Sequence, residues 1–507
     1  MLKGLLVSLL AVSAAQVDAH TNKTFLLPRS QGVQLPMQYT TFHELVGRKA
    51  EDKFGGNFAV TGFYSHSANE SETAEYFLVK DKSKITLNAL STAAAGNVGG
   101  LTSAGNDVDL FYIIHNRDRT DVQAAAEAGT TTIALDPEHS FYGVRFDYHQ
   151  DLDKILKGLY LCASLPIVHV ENDPELSVVS NGTLPAANLA AGADTSLKNN
   201  LEKYFRGEFE NTQANNLQAK LTNAKIVSSD ETGVADIDIA LGYKFLNKEK
   251  YHAALAIAVT IPTGDEADGV TMFEALVGNG KHFGLGGDFC AGARVWGDMD
   301  HNIKVMLKMK YRYLFENSEK RTLGIKGRNF GQYFLLGKRD AAGAKQLIPA
   351  ANVTTLNVDV TPGSQFDGVL AFAYNNGGFC FDLGYNMYFR EDEDVELKDT
   401  FETGLYTIAA RSADTANAFA NPIVAANNIT DGNAAAGAAS ILSKDSLDLG
   451  TASTPSQFTH TIFTALGFTF KEWDNPLMLG VGGKYEFASE NSALDMWGIW
   501  AKLGIGF

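Results

Sequence analysis

Ionisable side chains in this chain recur at every second position of long apolar stretches, a spacing that points to a charged wall rather than to a reaction centre. Arg145 and Asp147, Asp288 and Arg294, Asp382 and Arg390, and Lys484 and Glu486 all stand on the polar parity of such stretches. Lys304, Lys308, Lys310 and Arg312 occupy one parity of a single stretch. In a narrow passage with low-dielectric walls, fixed charges bias which solutes enter. The basic row has few carboxylates that the sequence places beside it, so it would favour anions if water reaches it. The competing reading has these charges pair across strands and fill the lumen, as in small barrels.

Other reactive residues carry less. A hydrolase needs a nucleophile with a positioned base, and the eleven histidines contain no HExxH or other recognisable catalytic spacing. The expectation is therefore no enzyme, no metal and no cofactor. Cys162, Cys290 and Cys380 are too few for a disulfide framework in an oxidising compartment and read as small buried residues. The acidic run from Glu391 to Asp399 could bind divalent cations that bridge lipopolysaccharide, but reads first as a solvated loop. With 42 basic against 59 acidic residues, a formal charge of −17, the chain does not suit nucleic acid, whose phosphates require a basic surface.

The elements that must position the charged wall are twelve segments with apolar and polar residues in strict alternation. They run at about 57–65, 140–150, 157–171, 236–246, 251–263, 282–297, 302–316, 364–374, 379–391, 459–471, 477–488 and 493–507. In the seventh, Ile303, Val305, Leu307, Met309, Tyr311, Tyr313 and Phe315 oppose the basic row. One face suits lipid and the other water. The connections after even-numbered segments are tight and rich in turn formers, as in Asn375-Asn376-Gly377-Gly378. Those after most odd-numbered segments run for tens of residues. Outer-membrane barrels have short periplasmic turns, long outer loops and an even strand number. The predicted fold is all-β, a closed antiparallel transmembrane β-barrel of about twelve strands. Phe77 to Lys82 and Val108 to His115 also look strand-like and would make fourteen.

The domain plan has three parts. Residues 1–19 read as a signal peptide, with one early Lys, an apolar stretch from Gly4 to Ala15 and a cleavage site after Ala19. Residues 20–56 are expected as a periplasmic segment. The barrel occupies 57–507, with long loops at 66–139, 172–235, 317–363 and 392–458. Beyond the leader no apolar run approaches the roughly 20 residues of a membrane helix, and the mean hydropathy of −0.10 suits alternating strands. A short amphipathic helix is expected from Ser196 to Phe205, and the Ala- and Asn-rich stretch from Ala416 to Ala439 reads as loop. Pro262 cannot donate to a ladder and belongs where its strand leaves the sheet.

Two resemblances follow from quoted residues. The final strand alternates Trp497, Ile499, Leu503, Ile505 and Phe507, and resembles the C-terminal signal read by the barrel-assembly machinery; Leu503, Ile505 and Phe507 would carry it. The segments ADIDIALGYKFLNKEKYHAALAIAVTIPTGDEADG, GNGKHFGLGGDFCAGARVWG and KVMLKMKYRYLF look like outer-membrane proteins linked to phenol meta-pathway degradation. Those belong to the broad group of barrels related to long-chain fatty-acid transporters. That likeness implies a barrel and transport.

The expected function is a Gram-negative outer-membrane porin passing small solutes through a charged lumen. Its expected partners are outer-membrane lipid, lipopolysaccharide, the assembly machinery and small solutes. A gated transporter of hydrophobic or aromatic compounds is the first alternative. The second is an adhesion or display protein whose barrel is only an anchor.

Overall fold

The computed structural model describes residues 22–40, 55–79, 82–88, 108–109, 113, 131–180, 182, 194–209, 218–338, 347–408, 442–489 and 493–507. The expected signal peptide and the stretch from Ala416 to Ala439 lie outside the described residues. Twelve long strands form the barrel: β1 (Gly56–Ser67), β2 (Glu138–Asp151), β3 (Leu159–Asp173), β4 (Ile237–Asn247), β5 (Tyr251–Ile261) and β6 (Gly284–Gly297). The second half is β7 (His301–Leu314), β8 (Gly363–Asn376), β9 (Phe379–Arg390), β10 (Gln457–Phe470), β11 (Leu477–Ala488) and β12 (Met496–Gly506).

Each strand pairs antiparallel with its neighbours in sequence, and β12 closes on β1 from Asn57 opposite Gly506 to Ser67 opposite Met496. Closure leaves no edge with unpaired amides, the condition a sheet must meet in hydrocarbon. Among the described residues, neither candidate for a thirteenth or fourteenth strand joins the barrel sheet. Glu70–Phe77 is helical, and Val108–Asp109 is a two-residue strand in a small separate sheet.

Parity sorts the side chains as the alternation requires. On β10, Phe458, Ile462, Leu466 and Phe468 are exposed, while Thr459, Thr461, Phe463 and Ala465 are buried. β12 repeats this with Ile499, Leu503 and Ile505 outside and Trp500 and Lys502 inside. The even connections are tight hairpins, and Gly377 supplies the left-handed φ of +61° between β8 and β9. β5 ends at Ile261, one residue before Pro262.

The β3–β4 seam is the irregular one. Ordinary pairing stops at Ser164 opposite Asp238, and the upper part of β3 pairs instead with Ser229–Val234. Pro166, which lacks a donor, sits at the break, and its carbonyl accepts from the Ala235 amide at 3.0 Å.

At the outer end the described parts of the long loops fold into a layer in which Phe77, Phe205, Phe273, Phe330, Tyr333 and Phe334 are buried, in an apolar cluster that continues into the lumen through Leu26, Leu35, Met37 and Tyr39. The helix Leu197–Phe205 starts at the predicted place, with Ser196 accepting from the Asn199 amide as its cap. Its apolar face packs Phe205 on Tyr333 with centroids 5.1 Å apart. The acidic run is partly built in. Asp394–Leu397 forms a strand on Thr355–Thr361, and Asp399 accepts from the Asn357 amide at 2.8 Å. Glu391, Asp392, Asp394 and Glu396 stay exposed, in keeping with a solvated run, while Glu393 is buried. Glu393 has buried cations within reach, Arg321 from a distant part of the chain and Arg390 from the strand just before it.

Candidate functional site

Residues 22–40, placed in the periplasm by sequence reading, run through the lumen instead. A chain segment in a closed barrel must have its backbone groups satisfied, and inward-facing side chains do this along the whole axis. At the outer end Asn22 accepts from the Phe330 amide at 2.7 Å and Thr24 donates to the Thr322 carbonyl. Lower down, the Leu27 carbonyl accepts from Arg390 at 3.1 Å and from Gln457 at 3.0 Å. The Gly32 carbonyl accepts from Arg145 at 3.0 Å. Lys484 donates to Gln34 at 2.6 Å. A short helix, Leu35–Tyr39 with Pro36 in its first turn, reaches the periplasmic half, where Lys502 donates to the carbonyls of Gln38 and Thr40.

Arg29 is the central fastening. Its guanidinium donates to Asp367 on β8 and to Glu486 on β11, each at 3.0 Å, and to Asn386 on β9. The same group lies 4.4 Å from the ring centroid of Tyr388. A buried guanidinium is tolerable only when paired and hydrogen-bonded, so one arginine gathers three strands around the segment. Sequence reading missed this residue because 22–40 has no periodicity to mark it.

The predicted lumen residues are placed as follows. Arg145 pairs with Asp147 at 3.0 Å, and Asp147 also accepts from Gln38. Asp288 accepts from Arg312 at 2.7 Å. Arg312 and Lys310 both reach Asp238, at 2.9 and 2.8 Å. Lys308 stands over the Tyr39 ring, 5.4 Å from its centroid. Arg294 donates to Glu249 in the β4–β5 turn at 2.9 Å, and Lys304 is opposite Arg294 in register. Asp382 is buried beside the Cys380 thiol, Arg390 reaches the segment as above, and Lys484 pairs with Glu486 at 3.0 Å.

The basic row therefore does not stand clear of carboxylates. Asp238 lies on the polar parity of β4, a signal that was legible, but only barrel closure carries it to Lys310 and Arg312. Asp367, Asn386 and Lys502 were likewise on the correct parity and were not singled out.

Between Gln38, Tyr39 and the wall of β2 to β7 a cavity of about 100 Å³ remains, faced by Tyr160, Ala240, Ala254, Ala256, His252 and Cys290. It is smaller than the roughly 150 Å³ engineered cavity that accepts benzene.

Above the membrane-crossing strands, a second set of buried charges ties the capping layer. Arg321 donates to Glu319 at 3.1 Å and to Glu393 at 2.5 Å, with all three side chains fully buried. His282 lies 3.0 Å from Glu319, and Phe25 of the lumen segment stacks on Arg321 at 3.7 Å. Burial raises the Glu393 carboxyl, but Arg321 and Arg390 outweigh it and hold the group down at about 2. Glu274 is opposite in behaviour. Burial pushes it up to about 8, against the lowering effect of hydrogen bonds from the backbone amides of Asp268 and Gly269.

Among the described residues no group of three or more His, Cys, Asp or Glu side chains could hold a metal ion. All three cysteines are free.

No family model and no curated protein matches the chain. Among solved structures, an outer membrane channel from Pseudomonas putida F1 is similar at 10% identity and a TM-score of 0.35, covering 91% of this chain and 98% of that one. The Pseudomonas putida toluene transporter is similar at 9% identity and a TM-score of 0.32, over 96% and 99% of the two chains. A Pseudomonas aeruginosa FadL homologue is similar at 7% identity and 0.28, again over 96% and 99%. Likenesses this distant carry no argument about function.

Proposed function

We propose that this chain is a plugged outer-membrane channel that passes small hydrophobic or aromatic solutes when residues 22–40 shift within the lumen. The observation that carries the reading is the Arg29 fastening, which holds a peptide where an open pore would need water. Three further features support it. Most of the charged wall is engaged in pairs, so the lumen has less fixed charge to sort ions than the sequence suggests. The residual cavity is mixed: Ala240, Ala254, Ala256 and the Tyr39 and Tyr160 rings offer an uncharged ring one apolar side, while Asp147, Asp238, Lys244, Asp288, Lys308 and Lys310 line the rest. The resemblance over residues 235–315 implies transport of the same kind.

An open porin with a charged lumen is the weaker reading, because it requires a path that the segment occupies. The exposed apolar band on the barrel exterior suits outer-membrane lipid, and lipopolysaccharide would meet the outer rim. Leu503, Ile505 and Phe507 would serve the assembly machinery. No enzymatic activity is proposed for the channel.

Planar-bilayer recording tests the plug. The intact protein should show rare, small openings, and Arg29→Ala should raise open probability several-fold by freeing the middle of the segment. Uptake of naphthalene by cells with an intact lipopolysaccharide layer should need the protein. Steady large ion-selective conductance from the intact barrel, unaffected by Arg29→Ala, would overturn the reading.

A further inference from the structure

One hairpin of the barrel assembles a group that the transport reading does not use. His149 and Asp151 share the inner face of β2, two residues apart, and Cys162 stands directly opposite His149 on β3. The Cys162 sulfur lies 3.1 Å from Nδ1 of His149, and Nε2 of the same ring lies 3.4 Å from Asp151. Lys244 of β4 donates to Asp151 and sits over the Tyr160 ring, which itself stacks on His149 with centroids 5.3 Å apart. The imidazole is therefore held between a thiol and a carboxylate, its plane set by an aromatic neighbour. That order, nucleophile then base then orienting acid, is the arrangement that activates a sulfur nucleophile. Asp151 fixes the tautomer with its proton on Nε2, which leaves the Nδ1 lone pair for the thiol proton.

Cys162 and His149 both face the cavity beside Gln38 and Tyr39. Asp151 ends β2 at the tight turn to β3, so the group sits close to the periplasmic mouth.

We propose that Cys162 is an activated thiol that captures small soft electrophiles, of the α,β-unsaturated carbonyl class, entering the lumen from the periplasmic side. His149 takes the thiol proton as the sulfur bonds to the β-carbon. The carbon–carbon π pair moves to form an enolate, and the imidazolium returns its proton to give a stable thioether. No oxidant or co-reactant is needed. Asp151 is a positioning residue.

The other two cysteines are built-in controls. Cys290 shares the cavity, but its neighbours are the Tyr39 hydroxyl at 3.5 Å and His252 at 4.0 Å, too distant for a firm proton acceptor. Cys380 is buried against the Asp382 carboxylate, which opposes a thiolate.

The test is acrylamide labelling of the folded barrel in detergent at neutral pH, read at each cysteine by peptide mass spectrometry. Cys162 should react about tenfold faster than Cys290 or Cys380, a conservative figure for a positioned base. His149→Ala should remove that advantage, and added imidazole should restore it at Cys162 without changing Cys290. Cys290→Ser should leave the Cys162 rate unchanged. Equal rates at the three cysteines in the unmodified protein would overturn the proposal whether or not the His149 variant folds. So would a folded His149→Ala barrel whose Cys162 rate is undiminished. Solute transport enters neither readout, so failure of the channel reading would show separately.

Discussion

The outer cap and the lumen are both closed by chain that is not part of the barrel wall, yet they differ in how much of the hold is polar. In the cap, Phe77, Phe205, Phe330, Tyr333 and Phe334 bury one another almost completely. In the lumen, residues 22–40 bury Leu26, Leu35, Met37 and Tyr39 in the same apolar cluster and add a ladder of polar contacts from Asn22 to Thr40, with Arg29 at its centre. Apolar burial is lost outright when a layer opens, because water repays nothing. A polar contact that opens is largely replaced by hydration, which makes its net worth about 1 kcal/mol for a neutral bond. The difference teaches that the part of the segment open to release is its polar fastening at Arg29, while its apolar residues share the burial that holds the cap.

The largest expected effect lies in the cap. Phe330→Ala should cost the capping layer about 3–5 kcal/mol, as for other large-to-small changes in a full core. Limited proteolysis should then cut the outer loops while the barrel still migrates as a folded, boiling-sensitive species. If the barrel melts with the cap, the two are one cooperative unit and the contrast fails.

Acidity should sharpen the same contrast by a smaller amount. Glu393 is held at about 2, below the ordinary 4.5, so its contribution is present above pH 4.5 and is lost as pH falls toward 2. Glu274 is pushed up to about 8, so its contribution is full below pH 4.5 and is lost as pH rises through 8. Protease resistance of the outer loops should therefore fall at both ends of the scale. Glu393→Gln should abolish the acid limb and Glu274→Gln the alkaline limb. A profile that neither variant alters would show that the cap's charges contribute nothing to its closure.

The smallest effect is expected at Lys308, which contacts the lumen segment through the Tyr39 ring alone in the contacts described above. Such a contact is worth about 0.5–1 kcal/mol where partly exposed. Lys308→Gln should raise open probability by about two- to fivefold at most, below Arg29→Ala. An equal effect from both would remove Arg29 from its central place.

Much of the wall was legible because alternation is a local property. Ile303 to Phe315 against Lys304 to Arg312 specifies which side of β7 meets lipid, and the tight turns specify which strands are neighbours. The short helix at Leu197–Phe205 was legible for the same reason, through its one apolar face. The site was legible mainly as parity: Arg145 with Asp147 and Lys484 with Glu486 pair along their own strands, but the partner of Asp288 and the contacts to Gly32 and Gln34 come from another strand or from the lumen segment. Arg29 carried no signal, since an isolated arginine in an irregular stretch looks like any solvated one. Cys162 and His149 were visible as residues and invisible as a pair.

What the amino-acid sequence determined by itself is an even-stranded barrel of twelve or fourteen strands, the lipid-facing side of the clear strands and the alternation of short and long connections. These depend on neighbours within a few residues. What only the tertiary structure decided is where the polar side chains spend their hydrogen bonds: Arg29 on β8, β9 and β11, Arg312 on Asp238, Glu393 on Arg321. Those contacts join residues tens to hundreds of positions apart. Once the barrel closes, each buried charge must find a partner, and the fold rather than the local order of residues decides which one is within reach.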